Sequence, residues 1–124
     1  MQSEQAETLK RLAALIAEKN KQHNLTSAKT AKELYENHIN DCVQAFKKTQ
    51  KTLSETVIDC GSGAGLPGLV CAILDTSKSF YTVDSTHNIT SFNKHAIREL
   101  GLKNVIAVND RIQNVALDQE NTIV

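Results

Sequence analysis

The amino-acid sequence predicts an α/β fold in which a partial parallel sheet is preceded by N-terminal helices. Two changes along the chain point there. Up to Ser54 the apolar residues recur at helical spacing, whereas beyond it short β-rich runs alternate with apolar stretches long enough for helices. A third observation is the stretch VIDCGSGAGLPGLV, Val57 to Val70, which gathers four of the five glycines and the only proline directly behind the first β-rich run.

Taken in order, Leu9, Leu12, Ala13 and Ile16 stand at i, i+3, i+4 and i+7 and form one apolar stripe of a helix over roughly residues 4–20. A second helix starts at Thr30, because Thr30-Ala31-Lys32-Glu33 is a capping box, and Tyr35, Ile39, Cys42, Val43 and Phe46 supply its apolar face. The lysine tract Lys47 to Lys51 reads as an exposed helix end or linker. Val57 to Cys60 is then a first strand, Leu66 to Leu74 a buried helix, and Phe80 to Val83 a second strand ending at Asp84. Ile89 to Leu100 is a helix stopped by Gly101, Val105 to Val108 a third strand, and Thr122-Ile123-Val124 the beginning of a fourth. Strands alternating with helices imply parallel pairing and right-handed crossovers.

The length of 124 residues suits one domain, 1–124, in which residues 1–53 form a helical part and 54–124 the first half of a cofactor-binding part. The formal charge of zero hides an asymmetry: residues 1–53 carry nine Lys/Arg against six Asp/Glu, and residues 54–124 five against eight. Cys42, Cys60 and Cys71 are an odd number with no Cys-x-x-Cys pair, which favours a reducing compartment. No signal-peptide pattern and no apolar run of about 18 residues is present, so a cytoplasmic protein without a membrane span is expected. The four histidines share no metal spacing with the cysteines or carboxylates, and no metal site is expected.

Gly61, Gly63 and Gly65 follow the first strand where the backbone must turn sharply into a helix and a ligand must approach without striking Cβ atoms. In an open parallel sheet that ligand lies outside the carboxyl ends of the strands, where Asp84 also projects and can accept ribose hydroxyls. A phosphate-gripping P-loop is excluded, because Gly68 is followed by Leu69 and Val70 instead of Lys and Ser/Thr. The dinucleotide fingerprint fails too, since Leu66 stands where its third glycine belongs. What remains is acidic-x-Gly-x-Gly-x-Gly, from Asp59 to Gly65, with a further carboxylate after the second strand. Methyltransferases that use S-adenosylmethionine show this pattern; the competing reading is a glycine-rich turn with no ligand.

Asn24-Leu25-Thr26-Ser27, His38-Ile39-Asn40-Asp41, Ile58 to Gly68, Val83-Asp84-Ser85 and Leu100 to Val105 occur in the order found in the ribosomal RNA small subunit methyltransferase G, or glucose-inhibited division protein B, family. The chain resembles that family over residues 20 to 115, and the Gly-Leu-Pro-Gly ending of the loop is more particular than the glycines alone. The resemblance implies a Rossmann-like S-adenosylmethionine-dependent methyltransferase fold and methyl transfer to N7 of one guanine in 16S ribosomal RNA of the small ribosomal subunit. Gly61 and Leu66 match cofactor-contacting positions of the family, and Ile112 and Gln113 match the pair that borders the adenine. With Asp59, Gly63, Gly65 and Asp84 they make up the expected cofactor site.

Guanine N7 exposes a lone pair, so no general base is required; Lys47, Lys48 and Lys51 in the basic half are candidates for phosphate contacts, the competing reading being a merely solvated face. Departures from the family pattern include Lys19, His23 and Asn37 in place of aromatic and Arg residues, Ala64 in place of Pro, and Asn88 with Ile89 in place of a basic pair. A Ser-Arg-Ala segment of the family would begin just beyond Val124, which implies a C-terminally truncated member. Strand one then has a nearly open edge, through which self-association is expected. The alternative function is a catalytically inactive remnant that binds RNA or protein.

Overall fold

The computed structural model describes residues 2–22, 30–60, 66–114 and 122–123. Helix α1 spans Ser3–Asn20 and buries Leu9, Leu12, Ala13 and Ile16, the expected stripe. Its start is closed by the Gln2 N–H, which donates to Gln5 Oε1 at 3.2 Å. Helix α2, Ala31–Glu33, begins with Thr30 as its N-cap, the Glu33 N–H donating to Thr30 Oγ1 at 3.1 Å, which is the N-cap bond of the expected capping box. It runs through a π-helical segment, Leu34–Ile39, into α3, Asn40–Thr49.

The π-helical segment departs from the regular helix that the spacing predicts. Its cause is the position of the buried residues: Leu34 and Ile39 are both essentially inaccessible to solvent, and they stand five residues apart. A turn with i to i+5 hydrogen bonds brings that spacing onto one face, where a 3.6-residue turn would rotate one of the two away from α1. From Asn40 onward the ordinary period returns, and Val43 and Phe46 continue the buried face. Lys47 and Lys48 close α3 as an exposed helix end, followed by a 3-10 turn over Gln50–Thr52.

The sheet has four parallel strands in the order β3-β2-β1-β4, where β1 is Thr56–Cys60, β2 Ser79–Asp84, β3 Val105–Asn109 and β4 Thr122–Ile123. The register places Val57 beside Phe80 and Phe80 beside Val105, so these three form one row across the sheet. That row shares a single core with Leu69, Val70 and Ile73 of helix α4, Gly68–Leu74, and with Phe92 and Ala96 of helix α5, His87–Leu100. Leu9, Leu12 and Ile16 of α1 and Phe46 of α3 belong to the same core. The N-terminal helices therefore pack onto the helices that cover the sheet, α1 against α4 and α5 and α3 against α4. Among the described residues, no helix is long and apolar enough to cross a membrane.

Two boundaries shift by short distances. Helix α4 starts at Gly68, not at Leu66, with Pro67 as its cap, and α5 starts two residues before Ile89. Gly101 ends α5 in the left-handed conformation, φ 64°, and its N–H and that of Leu102 return to the Arg98 and Ile97 carbonyls. Strand β4 pairs with Val57 and Ile58, so the edge of β1 expected to be nearly open is occupied along its first half. The outermost strand on the other side is β3.

Asn104, just before β3, ties the base of the sheet together. Its amide Nδ2 donates to the carbonyls of Ala72 and Asp75 at 3.1 Å and of Lys78 at 3.2 Å, collecting the end of α4 and the turn into β2. Replacing Asn104 with Ala leaves these part-buried carbonyls without their donor, and a loss of about 1–3 kcal/mol of unfolding free energy is expected. Urea unfolding followed by circular dichroism measures it as a lowered midpoint with an unchanged slope.

Candidate functional site

Because all strands run parallel, Cys60, Asp84 and Asn109 finish at one end of the sheet. A crevice of about 590 Å³ opens there, lined by Cys60, Val83, Asp84, Ser85, Asp110, Arg111 and Gln113. This volume lies within the range of small-molecule sites, and its place beyond the carboxyl ends of a parallel sheet is where ligands of such sheets bind.

Asp84 is held from three sides. Its Oδ1 accepts the Thr86 N–H at 2.8 Å, and its carbonyl accepts the Thr90 hydroxyl at 3.2 Å and the Asp110 N–H at 3.1 Å. The last of these joins the end of β2 to the turn behind β3. In that turn Asp110 Oδ1 accepts the Arg111 N–H at 2.7 Å and the Asn114 amide at 2.9 Å, and the 3-10 turn Ile112–Asn114 follows. The Asn114 amide, then the Arg111 N–H, hold the Asp110 carboxyl below the usual carboxylate range. These bonds are complete above the ordinary value of 3.8 and are lost as the pH falls through the lower folded value. The turn that carries Gln113 into the crevice is accordingly fixed at neutral pH.

Beneath the crevice Asp59 points the other way. Val57, two residues earlier on β1, faces the helices, and strand alternation turns the Asp59 side chain to the same face. The residue is 3% exposed, and its Oδ2 accepts the Gly68 N–H at 2.8 Å. A buried carboxylate thus caps the first residue of α4, where the helix dipole favours negative charge. Burial, then the Asp59 charge, pushes the Cys60 thiol above its ordinary value. Burial does the same for Cys42, to about 11, and for Cys71, to about 12, leaving both as neutral packing groups.

A second cavity, about 540 Å³, lies at the opposite end of the sheet between the start of α1 and the ends of α4 and α5, with Gln5, Ile73, Leu102 and Asn104 in its wall. Its floor is made of chain already committed to holding that end together, since Gln5 donates to the Leu74 carbonyl and Asn104 to three others. The crevice beside Asp84 is the better candidate.

A model of the family described as rRNA small subunit methyltransferase G matches residues 5–124. The chain belongs to the rRNA small subunit methyltransferase G family. Among curated relatives carrying that name, the one from Pasteurella multocida is 40% identical over 116 residues, covering 94% of this chain and 54% of the relative. The relative from Clostridium perfringens is 36% identical over 106 residues, 86% of this chain and 44% of its own. That from Psychromonas ingrahamii is 38% identical over 110 residues, 89% and 52% respectively. The chain spans about half the length of the methyltransferase G relatives it matches.

Of the residues expected at a methyltransferase G cofactor site, Asp84 and Gln113 line the crevice and the backbone of Ile112 forms the turn beside them. Gly61, Gly63 and Gly65 lie outside the described residues. Asp59 and Leu66 are placed differently: Asp59 is turned inward onto Gly68, and Leu66 packs half-buried against the core. Cys60, Ser85, Asp110 and Arg111 were not among the expected cofactor-site residues, although Cys60 ends β1, Ser85 follows the end of β2 and Asp110 with Arg111 follows the end of β3. The lysines of residues 47–51 precede β1, and Gln50 bonds Asp75 beyond the end of α4. They stand near the base of the sheet, at the end opposite the crevice.

A Cβ built on Gly68 falls 2.6 Å from Asp59 Oδ2 and 2.8 Å from Thr82 Cγ2. Both atoms belong to buried residues that have little room to retreat. Gly68→Ala is expected to cost about 1–3 kcal/mol by overpacking. Thermal unfolding checks this as a lowered melting point of the Gly68→Ala chain relative to wild type.

Proposed function

We propose that this chain is the cofactor-binding half of a methyltransferase that moves a methyl group from S-adenosylmethionine to N7 of a guanine in 16S ribosomal RNA. The single observation that carries the reading is the Asp84 carboxylate at the lip of a crevice of suitable size, fixed by the Thr86 N–H and by the turn bearing Gln113. A carboxylate in that place accepts the two ribose hydroxyls of an adenosine. Gln113 offers an amide donor and acceptor to the adenine edge. The residues present fit such a ligand.

When bound, S-adenosylmethionine supplies an electrophilic methyl group on a sulfonium. What the protein must supply is alignment of that group with the guanine, a proximity effect of about 7–11 kcal/mol in favourable cases. N7 has its lone pair free, so no side chain need remove a proton. Asp59 contributes from below by fixing the start of α4, and with it the exit of the glycine-rich turn, through the Gly68 N–H. Asp110 contributes from the side by fixing the turn behind β3. The target is an exposed base of the 16S RNA, which enzymes of this chemistry take out of its stack.

Titration calorimetry with S-adenosylhomocysteine tests the reading. Binding is expected for the wild-type chain, and Asp84→Ala should weaken it about 10- to 150-fold, the equivalent of about 1.5–3 kcal/mol for hydrogen bonds to a charged group. No heat at millimolar ligand, or binding indifferent to Asp84→Ala, contradicts it.

A further inference from the structure

We infer that β3 is a self-pairing edge, through which two copies of this chain join antiparallel to make one continuous sheet. The inference is independent of the methyl-transfer reading, since no residue of β3 lines the crevice.

The backbone sets the register. The Asn104 carbonyl accepts the Phe80 N–H, and the Asp110 N–H donates to the Asp84 carbonyl, so the even-numbered residues of this segment turn their backbone groups toward β2. By strand alternation the N–H and C=O groups of Val105, Ala107 and Asn109 point outward. Among the described residues no strand pairs with them there. Three outward donor–acceptor residues centred on Ala107 are self-complementary about a two-fold axis. Ala107 pairs with Ala107 of the second copy, and Val105 with Asn109 of the second copy, each pair exchanging both backbone hydrogen bonds.

The side chains agree with this register. On the face of the sheet opposite α4 and α5, Ile58, Tyr81 and Ile106 form one row, by the pairing of β1 with β2 and β2 with β3. Exposure along that row rises from 2% at Ile58 to 57% at Ile106, the only large hydrophobic residue exposed among those described. The row ends at the edge with its most apolar member uncovered. In the antiparallel register Ile106 faces Val108 of the second copy, and Val108 faces Ile106, at the non-hydrogen-bonded positions where side chains approach most closely. The apolar row is thereby continued across the axis. Val105-Ile106-Ala107-Val108-Asn109 also contains none of the usual edge guards, neither Lys nor Pro.

Sedimentation equilibrium of the chain, at concentrations from about 1 μM to 1 mM, tests the inference. The weight-average mass is expected to rise from 13.6 kDa toward twice that value and to stop there, because the two-fold pairing consumes both edges. Ile106→Lys should raise the dissociation constant at least tenfold, and Ile106→Thr, which keeps a β-branched side chain, should raise it less. Both variants must retain the wild-type circular dichroism spectrum; if Lys disturbs it, the Thr variant decides. A chain that stays at 13.6 kDa throughout overturns the inference. So does association that neither variant weakens, or mass that climbs past the dimer.

Discussion

The hydrogen bond from the Gly68 N–H to the buried Asp59 carboxylate is the constraint from which the rest of the site follows. Asp59 lies in the middle of the sheet on the strand that β2 and β4 flank, and Gly68 is the first residue of the helix that crosses over to β2. Joining them fixes the start of α4 against the middle of the sheet. A carboxylate at 3% exposure needs hydrogen-bond donors around it, and the Gly68 N–H at the start of α4 supplies one. The absence of a side chain at Gly68 is what lets the two meet, because a Cβ would occupy the space of the carboxylate oxygen.

Two further connections extend this arrangement to the crevice. Asp110 links β3 to β2 through the Asp84 carbonyl, and its own carboxylate winds the following turn through Arg111 and Asn114. At the other end of the sheet Asn104 performs the matching task, holding the end of α4 and the start of β2. Strands β2 and β3 are thus pinned at both ends, which fixes the ligand-facing end although three of the residues that line it, Asp110, Arg111 and Gln113, come from the turn behind β3.

Much of this was legible in the sequence, for reasons that can be traced to particular residues. The stripe of Leu9, Leu12, Ala13 and Ile16 needs only the helical period, and Gly101 needs only the geometry of a left-handed helix cap. Asp84 was readable because a carboxylate that ends the second strand of a parallel sheet has one direction in which to face. The inward turn of Asp59 was missed, although its parity with Val57 contained the signal. The π-helical segment was not legible, since the five-residue step from Leu34 to Ile39 acquires its meaning only when α1 lies against both. The lysines of residues 47–51 were marked by charge alone, which gives no position; the connection to β1 places them near the start of that strand. Asp110 escaped notice because its partners are backbone and an Asn four residues on, a local pattern too common to mark a site.

The account stands on the crevice beside Asp84 being the place where an adenosine-bearing ligand binds. Nuclear magnetic resonance locates that place directly, by following backbone amide shifts of the ¹⁵N-labelled chain as S-adenosylhomocysteine is added. The account predicts the largest changes at Cys60, Asp84, Ser85 and Gln113. Changes centred on Gln5, Ile73 and Leu102, at the cavity on the other end of the sheet, would contradict it.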